Sequence, residues 1–352
     1  MNKTSVENID RNFKVETKLD LPGLCFASVL DEPFRLYGVT HNGREFVRMP
    51  DDVARTVSAE VHLLSGNTAG GRVKFRTNSS YVAIKAVSPL HIMPHMAPTG
   101  SSGFDLYVGR REVYCGSFHP SPSSPEGFES KVRFGDRSMR EITINFPLYT
   151  RVRELYIGLE SDATVLPTAG YRYEKPIVFY GSSITQGGCA SRPGNSYEAH
   201  VSRALGANYL NLGFSGSAKG EIEMADYVAG LDMSVFVYDY DHNAPSPEYL
   251  EKTHERMFRI IREKNPELPI VMLSRPRYRQ DDDVRQRLEV VKRTYDNAIA
   301  RGDENVYFIS GKELMKFAKN DGTVDGVHPT DLGFYSMAKV LTPVLRKILK
   351  GV

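Results

Sequence analysis

IVFYGSSITQGG, residues 177–188, opens with four apolar residues and closes with two glycines. Ile177, Val178, Phe179 and Tyr180 read as a short buried strand that stops at Gly181, after which the chain turns through Ser182 and Ser183 into a helix. A serine on such a turn sets its hydroxyl at the carboxyl end of the strand, where the following N–H groups point at whatever reacts there. That suits a nucleophile. It equally suits a helix cap, for which serine is favoured, and the stretch alone leaves both readings open.

Outward toward the carboxyl end, apolar runs alternate with helical ones. Strand 177–180 is followed by a helix over 196–205, strand NYLNLG (208–213), a helix over 221–229 and strand SVFVY (234–238). Then come a long helix over 247–264, strand PIVML (269–273), a helix over 282–300, strand VYFIS (306–310), a short helix over 312–318 and a last helix from Thr330. Strands separated by ten to twenty helical residues imply right-handed βαβ units and a parallel sheet covered on both faces. Residues 166–352 are therefore expected to form a three-layer α/β domain of flavodoxin type. The last helix is the clearest, with Leu332, Tyr335, Ala338, Leu341, Leu345, Ile348 and Leu349 on one face and Thr330 as its N-cap.

Toward the amino end the pattern changes. From about Pro33 to Glu160 the sequence gives short alternating runs broken by turn residues, with no helical periodicity: EFVRMP (45–50), VSAEVHLL (57–64), GRVKFRT (71–77), YVAIKAV (81–87), two runs within 104–118, SKVRFG (130–135) and REITINF (140–146). Such strands must close on themselves to hide their edges. Residues 1–165 are accordingly expected to be an all-β sandwich of jelly-roll type, with 161–176 as the junction and 117–130 as one long Pro/Ser loop. HIMPHMAPTGSSG (91–103) packs two His, two Met, two Pro and two Gly into one loop. It reads as an irregular sandwich corner or as a lid or wall over the neighbouring domain's site.

Composition narrows the function. The 352 residues carry 45 Lys and Arg against 43 Asp and Glu, with no block of like charge, so there is no electrostatic basis for general nucleic-acid or anionic-membrane binding. No apolar run approaches the ~20 residues of a membrane span, and MNKTSVENIDRNF (1–13) has no apolar core of a signal peptide. A cytoplasmic protein with a small-molecule partner is expected, with homo-oligomer formation left open. Cys25, Cys115 and Cys189 imply neither a disulfide framework nor a cysteine zinc site. Cys189, six residues after Ser183, reads as structural, with a reactive thiol as the alternative.

In a doubly wound sheet, ligands sit beyond the carboxyl ends of the strands. Ser183 follows the first strand, Ser215-Gly216-Ser217 the second, Asp239-Tyr240-Asp241-His242-Asn243 the third, and Asp325-Gly326-Val327-His328 lies in a loop after the fifth. Acyl transfer needs a nucleophile, an adjacent base, a group to orient that base, and donors for the oxyanion. Ser183, His328 and Asp325 supply the first three; the N–H groups of Ser183 and Gly216 and the amide of Asn243 supply the donors. Arg192 and Asn195, with Arg275, Arg277 and Tyr278, give the rim polar walls, and Arg192, Arg275 and Tyr278 are the candidate substrate contacts. No cofactor or metal is called for, although Asp239, Asp241, His242 and Asp325 could serve a metal-dependent alternative.

At these residues the chain resembles the SGNH (GDSL) hydrolases. GSSIT is similar to their GDS block, NLGFSG to the glycine block, DHNA to the G-x-N-D block and DGVHP to the D-x-x-H-P block, over Lys175 to the end. The resemblance implies Ser183 as nucleophile, Gly216 and Asn243 in the oxyanion hole, and Asp325 and His328 completing a triad. Two blocks depart from the pattern: Ser182 stands where Asp is usual, and Asp241 and Ala244 replace Gly and Asp around Asn243. The β-rich half is similar to the domain that precedes this module in some bacterial SGNH enzymes, where it looks like a carbohydrate-binding module. Together these imply a serine esterase removing a short acyl group, most plausibly acetyl, from a carbohydrate or related polar ester. The alternatives are an acyltransferase using the same acyl-enzyme, a lipase or thioesterase, and a non-catalytic glycan-binding protein.

Overall fold

A computed structural model describes residues 17–351. The reading of residues 1–13 lies outside the described residues. Among those described, no helix is long and apolar enough to cross a membrane.

The carboxyl-terminal part is a five-stranded sheet in which all pairings are parallel. Its strands in chain order are Tyr173–Gly181, Ala207–Gly213, Val235–Asp239, Ile270–Leu273 and Val306–Ile309, and their order across the sheet is 2-1-3-4-5. That is the flavodoxin-like winding, with its switch point between the first and third strands. Every residue of the second half of the first strand, from Ile177 to Gly181, is buried, as a strand covered by helices on both faces requires. Helices Tyr197–Leu205 and Asp331–Gly351 cover one face through the cluster around Phe179, Val237 and Phe334. Helices Ile222–Ala229, Pro247–Lys264 and Asp282–Ala300 cover the other through Val178, Tyr238 and Met257. Thr330 stands before the last helix with its hydroxyl 3.5 Å from the Gly333 N–H.

The amino-terminal part has two large antiparallel sheets enclosing one core around Phe75, Ile84, Phe104, Ile144 and Ile157, with a small antiparallel pair, Thr40–His41 and Phe46–Val47, beside them. One runs Leu24–Ser28, Glu154–Glu160, Tyr81–Val87, Gly127–Arg133; the other runs Val165–Pro167, Arg72–Thr77, Arg140–Asn145, Phe104–Val108, Val113–Phe118, with Arg35–Tyr37 also paired to Arg72–Thr77.

Three expectations need correction. VSAEVHLL is not a strand: Asp51–Val57 and Ala59–Ser65 are helices, the second capped by Ser58, whose hydroxyl accepts from the Val61 N–H at 3.0 Å. Val57 and Val61 fit both a two-residue and a four-residue repeat, and the decision falls on the next position: Leu63 is 61% exposed, whereas Leu64 packs inward. This helical pair lies outside the sandwich and shares a core with the α/β domain, through Val61, Ala54 and Met49. The supposed junction 161–176 holds the edge strand Val165–Pro167 and the first residues of Tyr173–Gly181, which its low apolar content had concealed. The loop 117–130 is shorter than read, because strands Val113–Phe118 and Gly127–Arg133 take both its ends.

The two parts are clamped by buried arginines. Arg72, in the sandwich, donates to the Tyr209 carbonyl at 2.9 Å and to Asn208 Oδ1 at 2.7 Å, with its guanidinium 3.9 Å from the Tyr209 ring centroid. Arg48 donates to the carbonyls of Gly213 (2.7 Å) and Asn211 (3.2 Å) and lies over the Phe214 ring. Burial pulls the Arg48 guanidinium down to about 9.

Candidate active site

At the end of the first strand, side-chain crowding selects glycine: a Cβ on Gly181 would fall 1.8 Å from Asp239 Oδ1 and 2.3 Å from Thr185 Oγ1. The next two serines divide the two readings between them. Ser182 is the N-cap of the short helix Ser183–Gln186, its Oγ accepting from the Ile184 N–H at 3.2 Å. Ser183, 8% exposed, turns its Oγ to within 2.9 Å of His328 Nε2.

His328 arrives on the loop before the last helix. Its Nδ1 lies 2.7 Å from Asp325 Oδ2, while Asp325 Oδ1 accepts the backbone N–H groups of Val327 (2.9 Å) and His328 (2.8 Å). A carboxylate can only accept, so Nδ1 carries the proton and Nε2 presents its lone pair to Ser183. Burial pushes the Asp325 carboxyl up, but the hydrogen bonds from the His328 ring and the two backbone groups outweigh it and hold it at about 2. Asp325 is thus ionised across the neutral range. Gly326 makes the loop possible with a left-handed φ of 82°.

The candidate oxyanion donors are the Ser183 N–H at the start of its helix and groups on two further loops. Among the described residues no acceptor meets the N–H of Ser183 or of Gly216. Gly216 has a φ of 69°, and a Cβ placed on it would meet nothing within 4 Å, so open space adjoins its Cα. Asn243 Nδ2 donates to the Phe214 carbonyl at 3.0 Å, which ties the third-strand loop to the loop of Gly216 and leaves the second amide hydrogen free. His242 beside it is pressed down to about 3, by burial first and then by Arg275, and is neutral.

The substrate-contact expectations fare differently. Arg192 donates to Asp105 Oδ2 at 3.1 Å and to the Tyr107 hydroxyl, and covers the Tyr114 ring at 3.9 Å. Arg275 is buried against Asp283 at 2.9 Å. Both spend their charge on carboxylates of the protein itself, Arg192 on the buried Asp105 across the domain boundary and Arg275 on the exposed Asp283. Tyr278 is partly buried against the core. The residues Asp239, Asp241, His242 and Asp325 are not gathered as a ligand set among the described residues, and Asp239 and Asp241 are buried carboxyls raised above their usual range by desolvation.

The loop 91–103 is the wall that its composition allowed. Thr99 Oγ1 donates to the Ser191 carbonyl at 2.6 Å, Met96 enters the core of the α/β domain, and the His95 ring stands 5.5 Å from that of His328. Beside it Tyr149 of the sandwich donates to the Ser183 carbonyl at 3.2 Å. Tyr149 carried no signal in sequence, since only the folded chain brings it beside Ser183.

Comparison with known proteins gives the family of the chain and the likeness of its fold. The profile of the GDSL-like Lipase/Acylhydrolase family matches residues 174–346, and that of the N-terminus of Esterase_SGNH_hydro-type proteins matches residues 25–165. Among curated proteins no sequence relative is found. Among solved structures, a protein described as a GDSL-like lipase from Bacteroides ovatus ATCC 8483 is 31% identical, with a TM-score of 0.84 over 93% of this chain and 98% of its own. The salicylyl-acyltransferase SsfX3 of a tetracycline biosynthetic pathway is 20% identical, with a TM-score of 0.74 over 95% and 99% of the two chains. The acetyl xylan esterase Est2A from Butyrivibrio proteoclasticus is 14% identical, with a TM-score of 0.61 over 93% and 99%. The last two share the two-domain fold.

Proposed function

Since the chain belongs to the GDSL-like lipase/acylhydrolase family, we propose that it is a serine esterase that removes a short acyl group, acetyl foremost, from a carbohydrate or related polar ester. The observation that carries the proposal is the unbroken relay Asp325–His328–Ser183, at 2.7 and 2.9 Å. In it His328 Nε2 takes the Ser183 proton as Oγ attacks the ester carbonyl, and Asp325 holds the tautomer and stabilises the imidazolium. The N–H groups of Ser183 and Gly216, with the Asn243 amide, receive the oxyanion. The alkoxide of the alcohol then leaves with the proton from His328, and water repeats the cycle on the acyl-enzyme.

The short-acyl reading is supported by the walls. The exposed large apolar side chains on the loops that bear His95 and Asp325 are Ile92 and Val324. Burial of each further methylene would add ~0.8 kcal/mol if an extended apolar surface were there to receive it. The expected outcome is that kcat/KM for p-nitrophenyl esters falls from acetate or propionate to octanoate, with acetylated sugars better than simple alkyl acetates. A steady rise through octanoate would instead indicate a lipid or thioester substrate. An alcohol could intercept the same acyl-enzyme, and product analysis with a candidate acceptor present separates the two fates: a transferase forms new ester faster than free acid.

A further inference from the structure

His95, Cys189 and His328 each offer a ligand atom, and all three atoms lie within 4.8 Å of one another. Two come from the α/β domain and one from the sandwich loop, so sequence gave no reason to group them. His91, the other histidine of that loop, is not a member among the described residues. From this juxtaposition we infer that the mouth of the active site is a binding site for a single zinc-class divalent cation, which inhibits the enzyme by occupying His328.

Three observations carry the assignment. First, the donor set of two imidazoles and one thiol is that of zinc, and a tetrahedral site with bonds of about 2.0 to 2.3 Å sets its ligands roughly 3.4 to 3.7 Å apart. The three atoms therefore need to close by about 1 Å or slightly more, and His95 is exposed on its loop, free to rotate inward. Second, the outer support is in place. Zinc-bound histidines hand their other ring nitrogen to a carboxylate or carbonyl, and His328 Nδ1 is already held by Asp325 at 2.7 Å. Third, Cys189 is set in an uncommon backbone conformation, φ 75°, directly after Gly187 (φ 96°) and Gly188. Such a conformation at a non-glycine residue costs of order 1 to 3 kcal/mol and persists where the surroundings over-determine it. Here the Gly188 N–H to Ser183 carbonyl bond at 2.8 Å and the Ala190 N–H to Gly187 carbonyl bond at 3.1 Å hold the turn beneath His328.

Inhibition follows from the atom used. With Nδ1 committed to Asp325, the cation can bind His328 only through Nε2, the nitrogen that faces Ser183 Oγ at 2.9 Å. Coordination and acceptance of the serine proton exclude each other. On binding, the Cys189 thiol gives its proton to water and the thiolate donates to the metal, with water left for the fourth position.

The test is a titration of the full chain with Co²⁺ and Zn²⁺. It should show one equivalent of Co²⁺ bound with a thiolate-to-cobalt charge-transfer band, displaced by Zn²⁺ and by chelator. Cys189→Ser should abolish that band, and His95→Asn should weaken binding by about tenfold or more. In parallel, Zn²⁺ should inhibit p-nitrophenyl acetate hydrolysis reversibly. Each variant, referred to its own metal-free rate, should need about tenfold more metal for the same loss. Binding without a thiolate band, no stoichiometric binding, or equal inhibition of all three proteins would overturn the assignment. The spectroscopic arm stands whether or not an ester is hydrolysed, so it fails independently of the esterase proposal.

Discussion

In the α/β domain all five strands run the same way, while every strand pairing in the sandwich is antiparallel. A parallel sheet delivers every strand's carboxyl end to one edge, so the loops after the first, second and third strands share a rim with the loop of His328. Antiparallel sheets split their loops between two ends. In this sandwich one end carries 91–103 and Tyr149 to the rim, joined by the Leu148 N–H to Gly100 carbonyl bond at 3.1 Å. Chemistry collects on the parallel domain for a topological reason, and the sandwich contributes walls and clamps.

The largest test of that division is Ser183→Ala. It should lower kcat by about 10⁴ to 10⁶ with the fold intact, whereas Ser182→Ala, which removes only a cap, should leave most of the turnover. Near-normal kcat in the Ser183 variant, or failure of a serine-directed phosphonate to label that residue, would end the esterase proposal.

Next come the clamps. Arg72→Met removes a buried cation whose three hydrogen bonds end on Gly70, Asn208 and Tyr209 and leaves those acceptors dry. We expect a loss on the order of 3–5 kcal/mol in denaturant unfolding. If the two regions were held independently, the variant would be near neutral.

Much of this was legible in sequence. Alternating strand and helix periods gave the parallel domain, and serine, glycine, asparagine and Asp-x-x-His after successive strand runs indicated one rim, because in a doubly wound fold position along the chain nearly fixes position in space. The helices Asp51–Val57 and Ala59–Ser65 were illegible because they pack on a surface of the α/β domain far along the chain, and Leu63 mimicked the strand repeat. The partners of Arg48, Arg72 and Arg192 were illegible for the same cause: sequence shows a charge but not the carbonyl, ring or carboxylate across the domain boundary that holds it.

Asn243 tests how far the oxyanion assignment extends into the third-strand loop. Asn243→Ala should cost roughly 10² to 10³ in kcat with KM little changed, because its free amide hydrogen meets charge only in the transition state. A loss confined to KM would make Asn243 a ground-state contact, leaving Ser183 and Gly216 as the donors.

The smallest effect, and one that separates the two cores, is acid sensitivity. Among the described residues His254 is the one histidine in the fully buried core; it is stacked 4.6 Å from the Tyr238 ring and hydrogen-bonded to Thr294 at 2.8 Å, within the α/β domain. Burial pulls it from 6.5 to about 3. The unfolded chain therefore takes a proton near pH 6.5 that the folded chain refuses until about pH 3. Stability from this group is complete above the unfolded value and is lost progressively as pH falls from there toward the folded one. At pH 5 the loss is on the order of 2 kcal/mol. Among the described residues no buried histidine lies in the sandwich. Denaturant unfolding followed by circular dichroism at pH 7 and pH 5 should show this loss in the α/β transition of the wild-type protein. His254→Gln, whatever its own cost in stability, should flatten the pH dependence by most of that amount. Equal pH slopes in the two proteins would mean that the buried imidazole of His254 takes up its proton without unfolding, leaving His200 and His242, both also pulled down to about 3 by burial, as the acid-sensitive groups of this domain.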